Sequence, residues 1–224
     1  MTSTRARVAL AAYLVVSVVH LTAQLVHAHT LADASQVLLM PALVLFVLAA
    51  TLGPRPRLVR ALLLALGFSW LGDTAPRLLG GDPAFLAMIA CFLLAQVTYI
   101  SAFWPYRRHS VLHRRRGWTA AYLAAFLALV VVCLPGAGAM TPAVVVYGGC
   151  LTAMALTSTG VHPLAGAGGA LFFVSDALIA LDAFTSGLPA LQSFTVMATY
   201  IAAQLLITLG ILRRPECERP VSMR

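Results

Sequence analysis

Apolar residues fill this chain in long blocks, and polar residues gather in the short breaks between them. A helix that crosses a bilayer needs about 20 mostly apolar residues in a row. Blocks of that kind run over 8–26, 35–52, 58–79, 83–104, 117–134, 141–158, 164–182 and 192–212. The breaks carry turn chemistry: "GPRPR" from Gly53, "LPGAGAMTP" from Leu134, "TGVHP" from Thr159 and "TSGLP" from Thr185. None is long enough to hold a soluble domain. The pattern predicts an all-α protein, a polytopic membrane helix bundle of eight transmembrane helices forming a single integral membrane domain over 1–224.

Composition strengthens that reading. Of 224 residues, 61% are hydrophobic and 10% charged, and the mean hydropathy is +0.91. Soluble domains carry about 25% charged residues, so this chain has too little charge to cover a wet surface. All 15 basic residues are Arg and the net charge is +8. In a soluble protein that balance would suggest nucleic acid. Here the arginines fall between apolar blocks, as topology signals do, and no nucleic-acid partner is expected.

Counting arginines by side sets the orientation. The N-terminus has Arg5 and Arg7, the second break and its helix edge Arg55, Arg57 and Arg60. The fourth break has Arg107, Arg108, Arg114, Arg115 and Arg116, and the tail has Arg213, Arg214, Arg219 and Arg224. The other side has only Arg77, so fourteen stand against one and both termini are expected to be cytoplasmic. The first block is long for a signal peptide and seven more follow, so it reads as a retained span. A multi-pass protein of a bacterial inner or plasma membrane is expected. Cys91, Cys133, Cys150 and Cys217 have no C-x-x-C spacing, which implies neither a disulfide framework nor a zinc site.

The halves of the chain echo each other. "FSWLGDTAPRLL" (68–79) and "LFFVSDALIALD" (171–182) both end an apolar block with aromatics, a small residue and Asp. Each precedes a helix with Tyr and Gln, "AQVTYISAF" (95–103) and "ATYIAAQLL" (198–206). Four spans separate the two Asp residues, an even number, so two parallel four-helix repeats are expected.

Seven acidic residues exist. Asp33 and Asp82 fall in breaks, and Glu216 and Glu218 in the tail, leaving Asp73, Asp176 and Asp182. An Asp at the centre of a span costs about 2.5–3.5 kcal/mol to insert, so Asp73 and Asp176 need a reason to be there. One is a helix–helix hydrogen bond. The other is a general acid–base pair in one secluded cavity: burial disfavours the charged form, so one carboxyl holds a proton while the other stays ionised. Asp182, at a block's end, is either interfacial or a contact at the cavity rim. Arg77 lies one turn beyond Asp73, where it either holds Asp73 ionised or snorkels to the head groups.

In the first block, Tyr13, Ser17, His20, Gln24 and His27 draw one polar stripe. Such a stripe faces protein or a wet cavity, not lipid. His20 is then a proton carrier or an interhelical hydrogen-bonder. Gln96 with Tyr99, and Tyr200 with Gln204, share helical faces and either line the cavity or bridge helices. "GAGGA" (166–170) predicts a close helix–helix approach. No His/Asp cluster has metal spacing, and neither metal nor cofactor is expected.

Together these residues resemble the YhhN-type lysoplasmalogenase family, over most of the chain. The resemblance is densest at "FSWLGD" with "FLLAQVTYISAF", and at "ALFFVSDALIALDAF" with "VMATYIAAQLL". The family's Gly-Asp is Gly72-Asp73, its Ala-His-x-x-Tyr helix is Ala95-Gln96 to Tyr99, and its later motifs are Ser175-Asp176 and Tyr200 to Ala203-Gln204. Tyr147 and Met154 also fit. Gln36 and Gln96 stand where the family often has Lys and His, which removes two titratable groups. The resemblance implies hydrolysis of the vinyl-ether bond of lysoplasmalogen-like lysophospholipids to a fatty aldehyde and a glycerophospho-alcohol, with Asp73 and Asp176 as the working pair. It also implies a lysophospholipid partner, whose phosphate Arg77 is best placed to bind. Membrane carboxylates and a parallel repeat also suit a small-molecule or proton-coupled transporter, and buried Asp residues suit a non-catalytic lipid-binding protein.

Overall fold

The computed structural model describes residues 3–51, 53–185 and 192–214. Cys217, Glu216, Glu218, Arg219, Arg224 and most of the "TSGLP" turn lie outside the described residues. Among the described residues the regular elements are all helical. The long ones are α1 (Thr4–Leu25), α2 (His29–Ala50), α3 (Arg57–Leu78) and α4 (Gly81–Phe103). A 3-10 segment (Trp104–His109) and the short α5 (Val111–Arg114) lead to α6 (Arg116–Ala137), α7 (Thr141–Ser158), α8 (Pro163–Phe184) and α9 (Gln192–Leu212). Among the described residues, seven helical stretches are long and apolar enough to cross a membrane, and the chain is an integral multi-pass membrane protein. Each of the eight apolar blocks holds a helix, but 117–134 and 141–158 fall within one of those stretches, Arg116–Ser158.

Helices begin where local chemistry permits. At α1 the Ser3 hydroxyl accepts from the Ala6 N–H at 3.2 Å. At α8, Pro163 opens the helix and the His162 Nδ1 accepts from the Leu164 N–H at 3.1 Å. Polar first turns belong to the helices although hydropathy does not count them. So α2 starts at His29, not at 35, which places Asp33 on a helix rather than in a break; Asp82 likewise lies in the first turn of α4. There its charge complements the helix dipole. The stripe on α1 is shorter than expected: the helix ends at Leu25, and His27 is exposed with φ of 56°.

The chain divides into two compact units. One holds residues up to 102 together with those from 211, the other Phe103–Gly210. In the first, α1 packs along α2 and α2 against α3, and Gly72 on α3 admits the Phe92 ring of α4. Pro41 interrupts α2 and cannot donate to the carbonyl one turn back, that of Val37. The Trp70 indole N–H of α3 fills that vacancy at 3.0 Å. Hydrocarbon offers no water to a lost backbone bond. Trp70→Phe is therefore expected to cost about 1–2 kcal/mol, read as a lower melting temperature in nanodiscs.

In the second unit, α8 packs on α7 and α6, and α6 on α7. The glycines of "GAGGA" do what the pattern predicts. Gly168 faces Ala203 and Ile207 of α9, while Gly169 faces Ala155 and Ser158 of α7. Between α6 and α7, Gly138 turns the chain with φ of 48°.

Candidate functional site

Asp73 lies on α3, five residues before its end at Leu78, and is 4% exposed. Asp176 lies on α8, eight residues before Phe184, and is 6% exposed. Asp73 belongs to the first unit and Asp176 to the second.

Around Asp73, α2 supplies the partner. The Gln36 amide Nε2 donates to Asp73 Oδ1 at 3.2 Å. The Gln36 Oε1 accepts from Arg77 Nη2 at 2.9 Å. Arg77 Nη2 also donates to Asp33 Oδ1 at 2.9 Å, an ion pair, and Nη1 donates to the backbone carbonyl of Asp73. The Arg77 side chain is 25% exposed and that of Asp33 65%. The guanidinium thus makes an ion pair with Asp33, while its Nη1 donates to the main chain of Asp73. The early start of α2 explains this, because it brings Asp33 and Gln36 over the last turn of α3. Tyr13 of α1 lies within electrostatic reach of both Asp73 and Tyr99.

Around Asp176, α7 supplies the partner: the Tyr147 hydroxyl donates to Asp176 Oδ2 at 2.5 Å. The neighbouring Ser175 hydroxyl donates to the Val196 carbonyl of α9 at 3.0 Å, which fixes this part of α8. Phe172 meets Tyr200 edge to face, with ring centroids 5.7 Å apart.

The other expected residues fall as follows. His20 is buried between α1 and α2, its Nδ1 at 3.0 Å from the Ser35 hydroxyl and 3.1 Å from the Ala32 carbonyl, with the Gln24 amide 3.2 Å from Nε2. Its surroundings are those of an interhelical hydrogen-bonder. Gln24 is half-buried. Gln96 and Tyr99 of α4 are buried, as are Tyr200 and Gln204 of α9. Asp182 is exposed near the end of α8.

Sequence reasoning missed Gln36 and Asp33 as members of the Asp73 cluster. They are three residues apart on one helical face, and extending α2 to its polar first turn would have exposed the pattern. Tyr147 was seen only as a family match, since a single Tyr in an apolar block carries no spacing signal.

Long apolar helices, with carboxylates held inside them by amide and phenol donors, define a polytopic membrane protein with a buried acidic centre in each half of its chain. The sequence model of the YhhN family matches residues 31–211, and the chain belongs to that family. It is similar to lysoplasmalogenase TMEM86B of Homo sapiens, 44% identical over 72 residues, which is 32% of this chain and 31% of that protein. It is also similar to lysoplasmalogenase TMEM86B of Rattus norvegicus, 43% identical over 72 residues, 32% of this chain and 30% of that protein. The match spans less than a third of the length of these curated relatives. No solved structure matches the chain.

Proposed function

We propose that this protein hydrolyses the vinyl-ether bond of lysoplasmalogen-like lysophospholipids, releasing a fatty aldehyde and a glycerophospho-alcohol. One observation carries the reading: each unit buries an Asp whose side chain accepts from a neutral donor, Gln36 for Asp73 and Tyr147 for Asp176. A carboxyl that accepts from a neutral donor can still exchange a proton, which acid–base work requires. The names of the relatives support the same substrate class.

The chemistry suits an aspartate pair. Vinyl ethers resist base and open in acid. One carboxyl gives its proton to the alkene carbon remote from oxygen, leaving an oxocarbenium-like cation. The other, as carboxylate, stabilises that cation and takes a proton from the water that adds beside the ether oxygen, much as in glycosidases. The hemiacetal then collapses: its hydroxyl gives up a proton, the leaving oxygen gains one, and aldehyde and alcohol separate. Passing one proton between the carboxyls restores the start. A dry, low-dielectric site magnifies the charge stabilisation.

Arg77 is the phosphate contact in this reading. Its partner Asp33 is exposed, and exposed ion pairs are worth about 0–1 kcal/mol, so an anionic head group can displace it. His20, Gln24, Gln96, Tyr99, Tyr200 and Gln204 supply neutral polar contacts, and Asp182 a contact at the rim. The chain crosses a bacterial plasma membrane eight times, with both termini cytoplasmic and its halves as parallel repeats. A straight helix over Arg116–Ser158, 43 residues, would be about 65 Å long at ~1.5 Å per residue, twice the ~30 Å hydrocarbon core. The turn at Gly138 and the packing of α6 on α7 support two crossings instead.

The test is mass spectrometry of purified protein incubated with an alkenyl lysophospholipid in ¹⁸O-labelled water. Aldehyde carrying the label, in equal amount to glycerophospho-alcohol, is expected. Intact lipid after prolonged incubation overturns the proposal, and uptake into proteoliposomes without chemical change would replace it with a transporter.

A further inference from the structure

The break between α4 and α6 carries five arginines, Arg107, Arg108, Arg114, Arg115 and Arg116, and no acidic residue. A signal for membrane orientation needs only charge near a helix end. This break is also folded. Its 3-10 segment and α5 pack on each other and on α7, and α5 also packs on α6. The buried Ser110 hydroxyl donates to the Arg107 carbonyl at 2.6 Å. The Thr159 hydroxyl accepts from the Val111 N–H at 3.0 Å, and the Thr119 hydroxyl donates to the Val111 carbonyl at 3.1 Å. Gly160, in the turn after α7, lies so close that a methyl group there would meet the Tyr106 carbonyl. All of these residues belong to the second unit.

The fold holds these cations in place and leaves them open. Arg108, Arg114, Arg115 and Arg116 are exposed. Among the described residues, none of the five makes an ion pair. The acids of this unit, Asp176 and Asp182, lie in the far half of α8. The nearer is about 20 Å along the axis from the helix start beside Gly160, at ~1.5 Å per residue, well beyond a Debye length of ~8 Å. Three of the arginines stand at the start of α6, where the helix dipole disfavours cations and no acidic residue offsets them. Two exposed indoles bracket the charge: Trp104, at the head of the 3-10 segment, is 50% exposed, and Trp118, in the first turn of α6, 58%. The Arg107 guanidinium stands 4.7 Å from the Trp104 ring centre, and its Nη1 donates to the Trp104 carbonyl at 3.0 Å. Tryptophans at the ends of spans mark the head-group level of a bilayer, so the arginines between them lie where phosphates are. We infer that residues 104–118 form a docking surface for phospholipids with a net negative head group. The arginines take the phosphates and the two indoles sit at the glycerol level. Such a surface stands whether or not the proposed reaction does.

The test is quenching of tryptophan fluorescence in the full chain, reconstituted in bilayers where brominated phosphatidylglycerol or brominated phosphatidylcholine replaces part of the lipid. A Trp104→Phe/Trp118→Phe protein supplies the background from Trp70. Each arginine at an anionic surface is worth about fivefold in binding. Phosphatidylglycerol is therefore expected to be favoured about tenfold or more at the two indoles, and less so as salt rises. Arg114→Gln/Arg115→Gln/Arg116→Gln, which leaves Arg107 and Arg108 to orient the break, is expected to lose most of that preference. Arg5→Gln/Arg7→Gln, which removes cations from the N-terminus, is expected to keep it. Thr159→Val changes no charge but frees Val111 from α7, so it still reads the surface if the triple variant fails to insert. It is expected to lower the preference by up to about fivefold, the worth of one neutral hydrogen bond. Equal quenching by the two lipids in the unaltered protein overturns the inference, whether or not an RNA oligomer binds in their place. An unchanged preference in the triple variant overturns it too. So does an equal fall in Arg5→Gln/Arg7→Gln, which would make the effect one of net charge. A preference untouched by Thr159→Val overturns the role of the folded break.

Discussion

Asp73→Asn and Asp176→Asn, each made alone, are expected to abolish aldehyde release while leaving the protein folded in detergent. Asparagine matches aspartate in shape and keeps a carbonyl oxygen. Gln36 can still donate to residue 73, and Tyr147 to residue 176, so the bonds between helices persist. What disappears is the ability to ionise. Loss of a general acid or base costs about 100- to 10,000-fold in rate. Loss of the charge that stabilises an oxocarbenium-like cation in a dry site adds to that. Aldehyde would be read by mass spectrometry after derivatisation, and folding by a thermal melt of the same preparation. Full activity in either variant would remove the acid–base pair as the mechanism. Melting temperatures that fall sharply in both, with activity surviving in the folded fraction, would make the carboxyls structural.

The largest expected effect on stability lies on α8. A methyl group on Gly168 would stand 2.7 Å from the Ala203 carbonyl oxygen and 2.8 Å from the Ile207 backbone nitrogen. Those are main-chain atoms of α9, which cannot step aside as a side-chain tip can. Overfilling a packed interior costs about 1–3 kcal/mol, and Gly168→Val, with three carbons to place, is expected at the top of that range or above it. Gly149 on α7 supplies the contrast. Nothing lies within 4 Å of where its methyl group would go, and a helical Gly→Ala change in open space is favourable by about 0.5–1 kcal/mol. Melting temperatures of Gly168→Val and Gly149→Ala in one detergent should therefore move in opposite directions. A Gly168→Val protein as stable as the unaltered one would show that α8 and α9 are not in close contact there.

These two experiments probe features that the sequence revealed to different degrees. Long apolar blocks place helices well because the bilayer demands length and tolerates little else. The cost of a carboxyl in such a block singles out Asp73 and Asp176, and clustered glycines mark a close approach. Polar first turns are a different matter. Hydropathy leaves Asp33 in a break, whereas the backbone there is already helical from His29. That error hid Asp33, one of the two α2 residues that engage the Arg77 side chain. Spacing alone put Arg77 beside Asp73, but i, i+4 adjacency cannot say whether a guanidinium will choose the side chain of that neighbour, its main-chain carbonyl or groups on a neighbouring helix. It chose the last two. Tyr147 was equally hidden, since its meaning depends on α7 lying against α8.

The indole that completes α2 has an evolutionary corollary. Position 41 and position 70 answer to one unmet carbonyl, that of Val37. Replace the proline by leucine and the ring nitrogen loses its duty, because the new N–H can close the helix itself. The double change should then be tolerated better than the loss of tryptophan by itself. Substitutions at these two sites are accordingly expected to travel as a linked pair, the proline disappearing first and the tryptophan drifting afterwards.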